Sequence, residues 1–247
     1  MSSHSRKVVV VTGASSGLGL ALSKKFLQQE TIVFGVGKTK RNWKTALAAA
    51  DHSDRFFLRA ADLTKESATK QVLRLIQRKA GRIDLLINCA GYGGRLARVE
   101  ELSVSEFEKH LANNLLNSFL MCKHTIPLMR KQKAGLIINI SSMAGKRAVP
   151  KLLAYSAAKF GIVALSQCIA KENSDVNLKC ITVCPGGMNT KMRAALFGKE
   201  DAEQQQSVSY VTDVIMQVVS GKIEIESGGD IIIRHGKITA INPAPKA

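Results

Sequence analysis

Acidic side chains are scarce in this chain. Against 36 lysines and arginines stand 19 aspartates and glutamates, leaving a formal net charge of +17 over 247 residues. Aromatic residues are sparse too, at 5%. A dedicated nucleic-acid module pairs a basic stripe with stacking rings. Here the cations are spread along the whole chain with few rings among them, which disfavours nucleic acid as a partner. A solvated basic surface is the first reading of the charge, and attraction of a phosphate-bearing small molecule the second.

Other absences narrow the class. The five cysteines (Cys89, Cys122, Cys168, Cys180, Cys184) are odd in number and lack paired metal-ligand spacing. Most sit in apolar runs and read as buried free thiols of a reducing compartment, so the expected location is cytoplasmic. The opening "MSSHSRKVVVVTG" has no h-region of signal-peptide length, and no apolar run is expected to span a membrane. The histidines (His4, His52, His110, His124, His235) are scattered, none with the i+4 partner a helical zinc site would need, so no metal is expected. Ser141 and Ser142 lack a nucleophile-elbow context, which argues against a hydrolase. Repeats, low-complexity tracts and Pro/Gly-rich linkers are missing. With 45% hydrophobic residues, the chain is expected to form one domain over 1–247.

What is present is an alternation. Apolar, β-branched runs at 7–13, 31–37, 55–63, 83–91, 135–142, 176–187 and 229–234 read as strands, most without polar alternation, as in strands covered on both faces. Helical patterns lie between them at 19–30, 65–81, 103–131, 150–173 and 208–221. Such alternation implies an α/β fold, a doubly wound parallel sheet of the Rossmann type with right-handed crossovers. Ligands of these sheets bind at the carboxyl ends of the strands. That rim should carry Gly13 onward, Asp62, Asn88, Ser142 and Pro185. Two helical segments, 103–131 and 150–173, are apolar on nearly every side, which suggests a second buried face and a subunit interface.

After the first strand comes "TGASSGLG" (12–19), leading straight into a helix. Glycines at 13, 17 and 19 let the backbone turn tightly and approach a pyrophosphate, while the helix start offers free N–H groups. At the end of strand two, where an NAD site usually places a carboxylate for the adenine ribose, the chain reads "FGVGKTKRN". The carboxylate position is Gly37, followed by Lys38, Lys40 and Arg41. A 2′-phosphate would be attracted there, so NADP(H) is the expected coenzyme.

Further along, "LLAYSAAKFG" (152–161) sets Tyr155 and Lys159 one helical turn apart on one face. An ordinary tyrosine titrates near 10 (roughly), too high for easy proton exchange at neutral pH. A neighbouring ammonium and an oxidised nicotinamide both stabilise the phenolate, so the value is expected to fall toward the working range beside the bound coenzyme.

Together, "TGASSGLG", "ADL" (61–63), "NCAG" (88–91), "NNLLNSF" (113–119), "ISS" (140–142), "YSAAK" (155–159) and "PGGMNT" (185–190) resemble the short-chain dehydrogenase/reductase family from about residue 6 to 190. The resemblance implies that Tyr155 is the general acid of carbonyl reduction and the base in reverse. It implies that Ser142 holds the substrate oxygen, that Lys159 binds the nicotinamide ribose, and that Asn114 anchors a water relay to Lys159. The coenzyme would lie along Gly13, Ser15, Ser16, Gly17, Leu18 and Gly19. Lys38 would sit at its phosphate, Asp62 and Leu63 beside the adenine, and Asn88, Ala90 and Gly91 along its middle. Pro185, Gly186, Met188 and Thr190 would flank the nicotinamide. The bland reading of Asp62 is a turn or helix cap, and Cys89 departs from the family's usual asparagine.

The segment at about 187–207 is where this family builds its substrate lid; here it is short and polar. The expected substrate is a small-molecule ketone or aldehyde, and the expected assembly a homodimer or homotetramer through the two apolar helices. Similarity to 3-oxoacyl-ACP reductases supplies an alternative. Lys133 fits one of their two basic carrier-docking positions, while the other falls near Val176, which has no charge. A non-catalytic, coenzyme-binding regulator is a third reading, opposed by the presence of both Tyr155 and Lys159.

Overall fold

Consecutive valines cannot alternate between core and water. In the computed structural model, which describes residues 6–40, 42–51 and 53–245, those of β1 (Val8–Thr12) meet a buried layer on each side. Val8 and Val10 pack with Val72, Ile76, Met121 and Met129, while Val9 and Val11 turn to Leu22, Phe26 and Ile215. A strand of this kind needs no polar face, and each valine contributes roughly 1.5–3 kcal/mol on full burial.

Around β1 stand β2 (Ile32–Gly37), β3 (Phe56–Ala60), β4 (Leu85–Asn88), β5 (Ala134–Ile140), β6 (Asn177–Pro185), β7 (Asp230–Arg234) and β8 (Lys237–Asn242). Their order is β3-β2-β1-β4-β5-β6-β7-β8, parallel throughout except for β7 and β8. This is the α/β, doubly wound, single-domain fold expected. β8 was not among the predicted strands. It alternates in exposure and follows β7 through a two-residue turn, His235-Gly236, with φ of 51° and 66° at the two positions. That geometry matches the hairpin turns with positive φ at both central residues.

One face of the sheet is covered by α1 (Gly17–Leu27) and α9 (Val208–Val219), the other by α3 (Glu66–Ala80), α5 (Asn117–Gln132) and α6 (Leu153–Glu172). The predicted helix at 103–131 is divided into α4 (Val104–Leu111), a π turn (Ala112–Leu116) and α5. Three helices fall outside the predicted set: α2 (Trp43–Ala49), α7 (Lys191–Phe197) and α8 (Lys199–Glu203).

Helix α6 passes for a membrane span by length and mean hydropathy (1.4) only, and half of its apolar stretch is buried within the fold, as in a core helix. Its composition follows from packing on β6 and on the π turn, where a side chain at Gly161 would collide with Leu115. The cysteines need one correction: Cys122, Cys180 and Cys184 are buried free thiols and Cys89 is half-buried, whereas Cys168 is exposed.

A chain of buried polar groups joins three elements. Asn88 at the end of β4 donates to Asn139 Oδ1 of β5 at 2.8 Å, and Asn139 donates to Ser166 Oγ of α6 at 2.9 Å. All three residues are buried. Removing the middle member strands the others at a cost of about 1–3 kcal/mol each. Asn139→Ala is therefore expected to lower the unfolding free energy by about 2 kcal/mol or more in a urea titration, with the m-value unchanged.

Candidate active site

The order of the sheet reverses at β1, between β2 and β4, so the loops leaving β1 and β4 part there and open a crevice. The Thr12 hydroxyl holds the two loops in place, accepting from the backbone N–H of Cys89 at 3.0 Å and of Ala90 at 2.9 Å. Gly13 turns with φ 70°, and a Cβ there would lie 3.0 Å from Ala90 Cα. A Cβ on Gly19 would sit 2.5 Å from the Gly13 carbonyl oxygen, so the start of α1 can reach β1 only without a side chain. Ser16, the N-cap, makes no side-chain cap, and the first turn of α1 holds no acid. Backbone donors and the positive end of the helix dipole face the crevice.

The crevice has two joined compartments. The larger, about 490 Å³, is lined by Ser15, Ser16, Gly17, Leu18, Gly19, Asn114, Tyr155, Lys159, Met188 and Thr190, among others. The smaller, about 200 Å³, reaches Lys38, Asp62 and Leu63. Gly13, Ser15, Ser16, Ala90 and Gly91 border both. An elongated ligand with a phosphate near its middle fits this shape.

Lys38 Nζ lies 3.1 Å from Asp62 Oδ2 and 3.5 Å from Asn113 Oδ1. Asp62 also forms a turn, accepting from Thr64 N–H at 3.1 Å and Thr64 Oγ1 at 2.8 Å. Burial pushes its pKa up, but Thr64 and Lys38 outweigh burial and hold the carboxyl below its usual range. Both readings of Asp62 thus apply. Lys40 lies over the Trp43 ring, 5.7 Å from its centroid; Arg41, like His4 and His52, lies outside the described residues.

Three residues expected at the coenzyme, Asn88, Pro185 and Gly186, do not line the two compartments. The Asn88 amide turns into the buried amide chain. Pro185 pairs with Ile233 of β7, and Gly186 donates to the Ile233 carbonyl at 2.7 Å. Thr190, at the edge of the larger compartment, also caps α7, accepting from Arg193 N–H at 3.2 Å.

The carboxyl end of β5 and helix α6 build the reactive end. Ser141 donates to the Lys159 carbonyl at 2.8 Å, and Lys159 Nζ donates to the Ile140 carbonyl at 2.8 Å. Gly145 lies so close that a Cβ would come 2.5 Å from the Lys159 carbonyl oxygen. Ser142 accepts from Ala144 N–H at 3.1 Å, and its hydroxyl also acts on the Tyr155 phenol. Lys159 Nζ lies 5.6 Å from the Tyr155 ring centroid, on the same side of α6. Asn114, in the π turn, accepts from Tyr92 N–H at 2.9 Å and donates to the Tyr92 carbonyl at 3.0 Å, clamping the loop after β4.

In the coenzyme-free chain the acidity of Tyr155 is governed by burial. Burial raises its pKa above the usual phenol value, partly offset by the Ser142 hydrogen bond and reinforced by Cys89. The Lys159 ammonium is turned to the Ile140 carbonyl, and burial brings that amine down to about 8. Gly145, Ser141 and Thr12 were missed from sequence, as were Tyr92, Glu106 and His110; none carries a local signal.

An open crevice at the switch point of a doubly wound sheet, with a buried amine beside a phenol, defines a dinucleotide-binding oxidoreductase. The chain belongs to the short chain dehydrogenase family, whose pattern matches residues 7–201, and so to oxidoreductases of alcohol and carbonyl groups. A 3beta-hydroxysteroid dehydrogenase from Mediterraneibacter gnavus is 30% identical over 193 residues, covering 78% of this chain and 70% of the relative. The 3-ketoacyl-(acyl-carrier-protein) reductase of Brucella melitensis, solved with NADH, superposes with a TM-score of 0.86 at 22% identity, covering 93% of this chain and 97% of that one. ElxO with NADP bound gives 0.85 at 22% identity, covering 92% and 97%. At that identity the likeness concerns the fold alone.

The buried amine has a measurable signature. Below pH 8 the folded chain holds Lys159 charged at a cost, and the unfolded chain does not. As pH rises from 8 to 10.5 the unfolded state keeps a proton that the folded state has shed, and the cost is relieved. Lys159→Met should stabilise the coenzyme-free protein at pH 7 by on the order of 2 kcal/mol, after losing the bond to Ile140. That advantage should shrink toward pH 10, as followed by denaturant midpoints of the two proteins.

Proposed function

We propose that this chain is an NADP(H)-dependent reductase of a ketone or aldehyde, working in reverse as an alcohol dehydrogenase. The observation that carries this reading is the meeting of Tyr155 and Lys159 at one end of a crevice whose other end carries Lys38, with the Ser142 hydroxyl on the Tyr155 phenol. Bound there, the nicotinamide coenzyme supplies the hydride. Tyr155 gives its proton to the substrate oxygen as negative charge develops on it, and Ser142 donates a hydrogen bond to the same oxygen. A phenol kept protonated by burial is in the form that reduction needs. Lys159 then stabilises the phenolate and holds the nicotinamide ribose. Asn114 keeps the β4 loop in place and anchors a water relay toward Lys159.

The NADP preference rests on charge. A side chain at Gly37 would start 3.3 Å from Ser15 Oγ, so the end of β2 has no room to offer a ribose-binding carboxylate without moving that serine. Lys38 is already held by one carboxylate, and a 2′-phosphate, carrying more charge, exchanges for it.

The segment at 187–207 serves as the substrate lid, with Met192 and Leu196 resting against Gly93 across the mouth. The exposed apolar residues Leu116, Phe119, Leu153 and Phe160 lie on the two helical segments expected to join subunits, and we assign them to a homo-oligomer contact. Free thiols throughout suit a cytoplasmic enzyme. The acyl-carrier alternative is weaker. Lys133 ends α5 just before β5 begins, on the rim opposite Ser142.

Tyr155→Phe should lower carbonyl-dependent NADPH oxidation by at least about 100-fold while leaving NADPH affinity within about twofold; surviving turnover would remove Tyr155 from the role given to it. Separately, kcat/KM should favour NADPH over NADH in the native protein, and Lys38→Asp should reverse that order. Equal or better use of NADH by the native protein would defeat the coenzyme assignment.

A further inference from the structure

Beside Tyr155 lies a small cavity of about 10 Å³, bordered by His110, Tyr155, Arg95, Lys151 and Leu102. That is about the room one water molecule occupies. His110, only 2% exposed, is the histidine whose ring packs against Tyr155 among the described residues. Its ring meets Tyr155 edge-on, centroids 6.3 Å apart at 78°, and leans on the Tyr92 ring at 5.0 Å. Its backbone carbonyl accepts from the Asn114 amide at 3.0 Å.

The two ring nitrogens have different surroundings. Nε2 faces Gly94, where φ is 66° and any side chain would collide with it, and lies 3.7 Å from Glu106 Oε1. The same Glu106 oxygen accepts the Tyr92 hydroxyl at 2.7 Å. A carboxylate on that side favours hydrogen on Nε2 and leaves Nδ1 as an acceptor. Nδ1 is buried without a hydrogen-bond partner among the described residues. An unpaired buried acceptor is costly. The charged or titratable groups facing this ring are Glu106 and Lys109 from its own helix, Tyr92 and Arg95 from the loop after β4, and Tyr155 and Lys151 from the α6 side. Burial keeps the imidazole below its ordinary value against the pull of Glu106, so it is neutral at pH 7.

We propose that His110 is a positioning residue for Tyr155, holding one ordered water on Nδ1 in this cavity and, through that water and the edge contact of the rings, fixing the phenol toward the crevice. The proposal deepens the assignment of Tyr155 as acid and base and rests on it. His110 lines neither compartment of the crevice; Glu106 orients it, and Gly94 gives it space.

The test compares His110→Phe, which keeps a ring of similar shape without the nitrogen, with His110→Gln, which restores a polar atom. Both are measured for NADPH affinity by fluorescence titration and for kcat and KM across pH, with an active ketone as substrate. His110→Phe should bind NADPH within about twofold of the native protein, lose roughly tenfold in kcat, and shift the alkaline limb of its pH–rate profile. His110→Gln should recover most of that loss. Native kcat and pH profile in the Phe variant would overturn the proposal, since a ring alone would then suffice. Equal losses in both variants, or loss of NADPH binding in step with kcat, would overturn it as a packing effect. If the Phe variant does not fold, Gln against Ala gives the same reading. Tyr155→Phe is measured alongside. Turnover in that variant sinks the acid–base assignment itself, whereas an inactive Tyr155→Phe beside a native-like His110→Phe sinks only the role of His110.

Discussion

The site hangs on a pair of hydrogen bonds that cross between β5 and α6 in opposite directions. Ser141 donates to the backbone of Lys159, and the side chain of Lys159 donates to the backbone of Ile140. Each bond satisfies a group that burial would otherwise leave unpaired, so neither element can slide on the other without losing both. Because Tyr155 lies one turn before Lys159, and Ser142 one residue after Ser141, this clasp sets where phenol, hydroxyl and amine stand. Gly145 is what lets the two backbones approach so closely.

The clasp places charge where the protein pays for it. An ammonium in a dry setting loses affinity for its proton, and a phenol in the same setting keeps its own. The two groups therefore move apart in acidity: Lys159 falls to about 8 while Tyr155 rises from its ordinary value. Strain of this kind is tolerated because the surrounding sheet is almost wholly apolar and holds its shape without help from the site. The crevice is likewise set by a single hydroxyl, that of Thr12, which bridges two loops that the strand order would otherwise let drift.

Much of this was legible in the sequence, for physical reasons that differ by element. Apolar runs such as 7–13 announce strands buried on both faces, and the spacing of Ser142, Tyr155 and Lys159 announces a shared face. β8 escaped notice because half of it is wet, so its apolar residues are few and alternate. The helices after Thr190 are too short and polar to show a period. Sequence tells which strand carries Asn88 but not to which side its amide turns. Likewise the lysine one turn from Tyr155 is visible in the sequence, whereas the Ile140 carbonyl that its amine meets is not. His110, Glu106 and Tyr92 meet only because α4 folds back over the β4 loop, and nothing local in the chain marks that meeting.

The buried amides of the sheet carry one more consequence. Parallel strands built from valine, leucine and isoleucine have little to distinguish one alignment from the next, since a slipped pairing buries nearly the same surface. Asn88 and Asn139 stand opposite each other in the β4–β5 pairing. Displace either strand by a single residue and each amide faces an aliphatic neighbour on the opposite side of the sheet, with nothing to bond. The amides thus act as an indexing pin: they add little to the cohesion of the central strands, but they make the misaligned versions untenable.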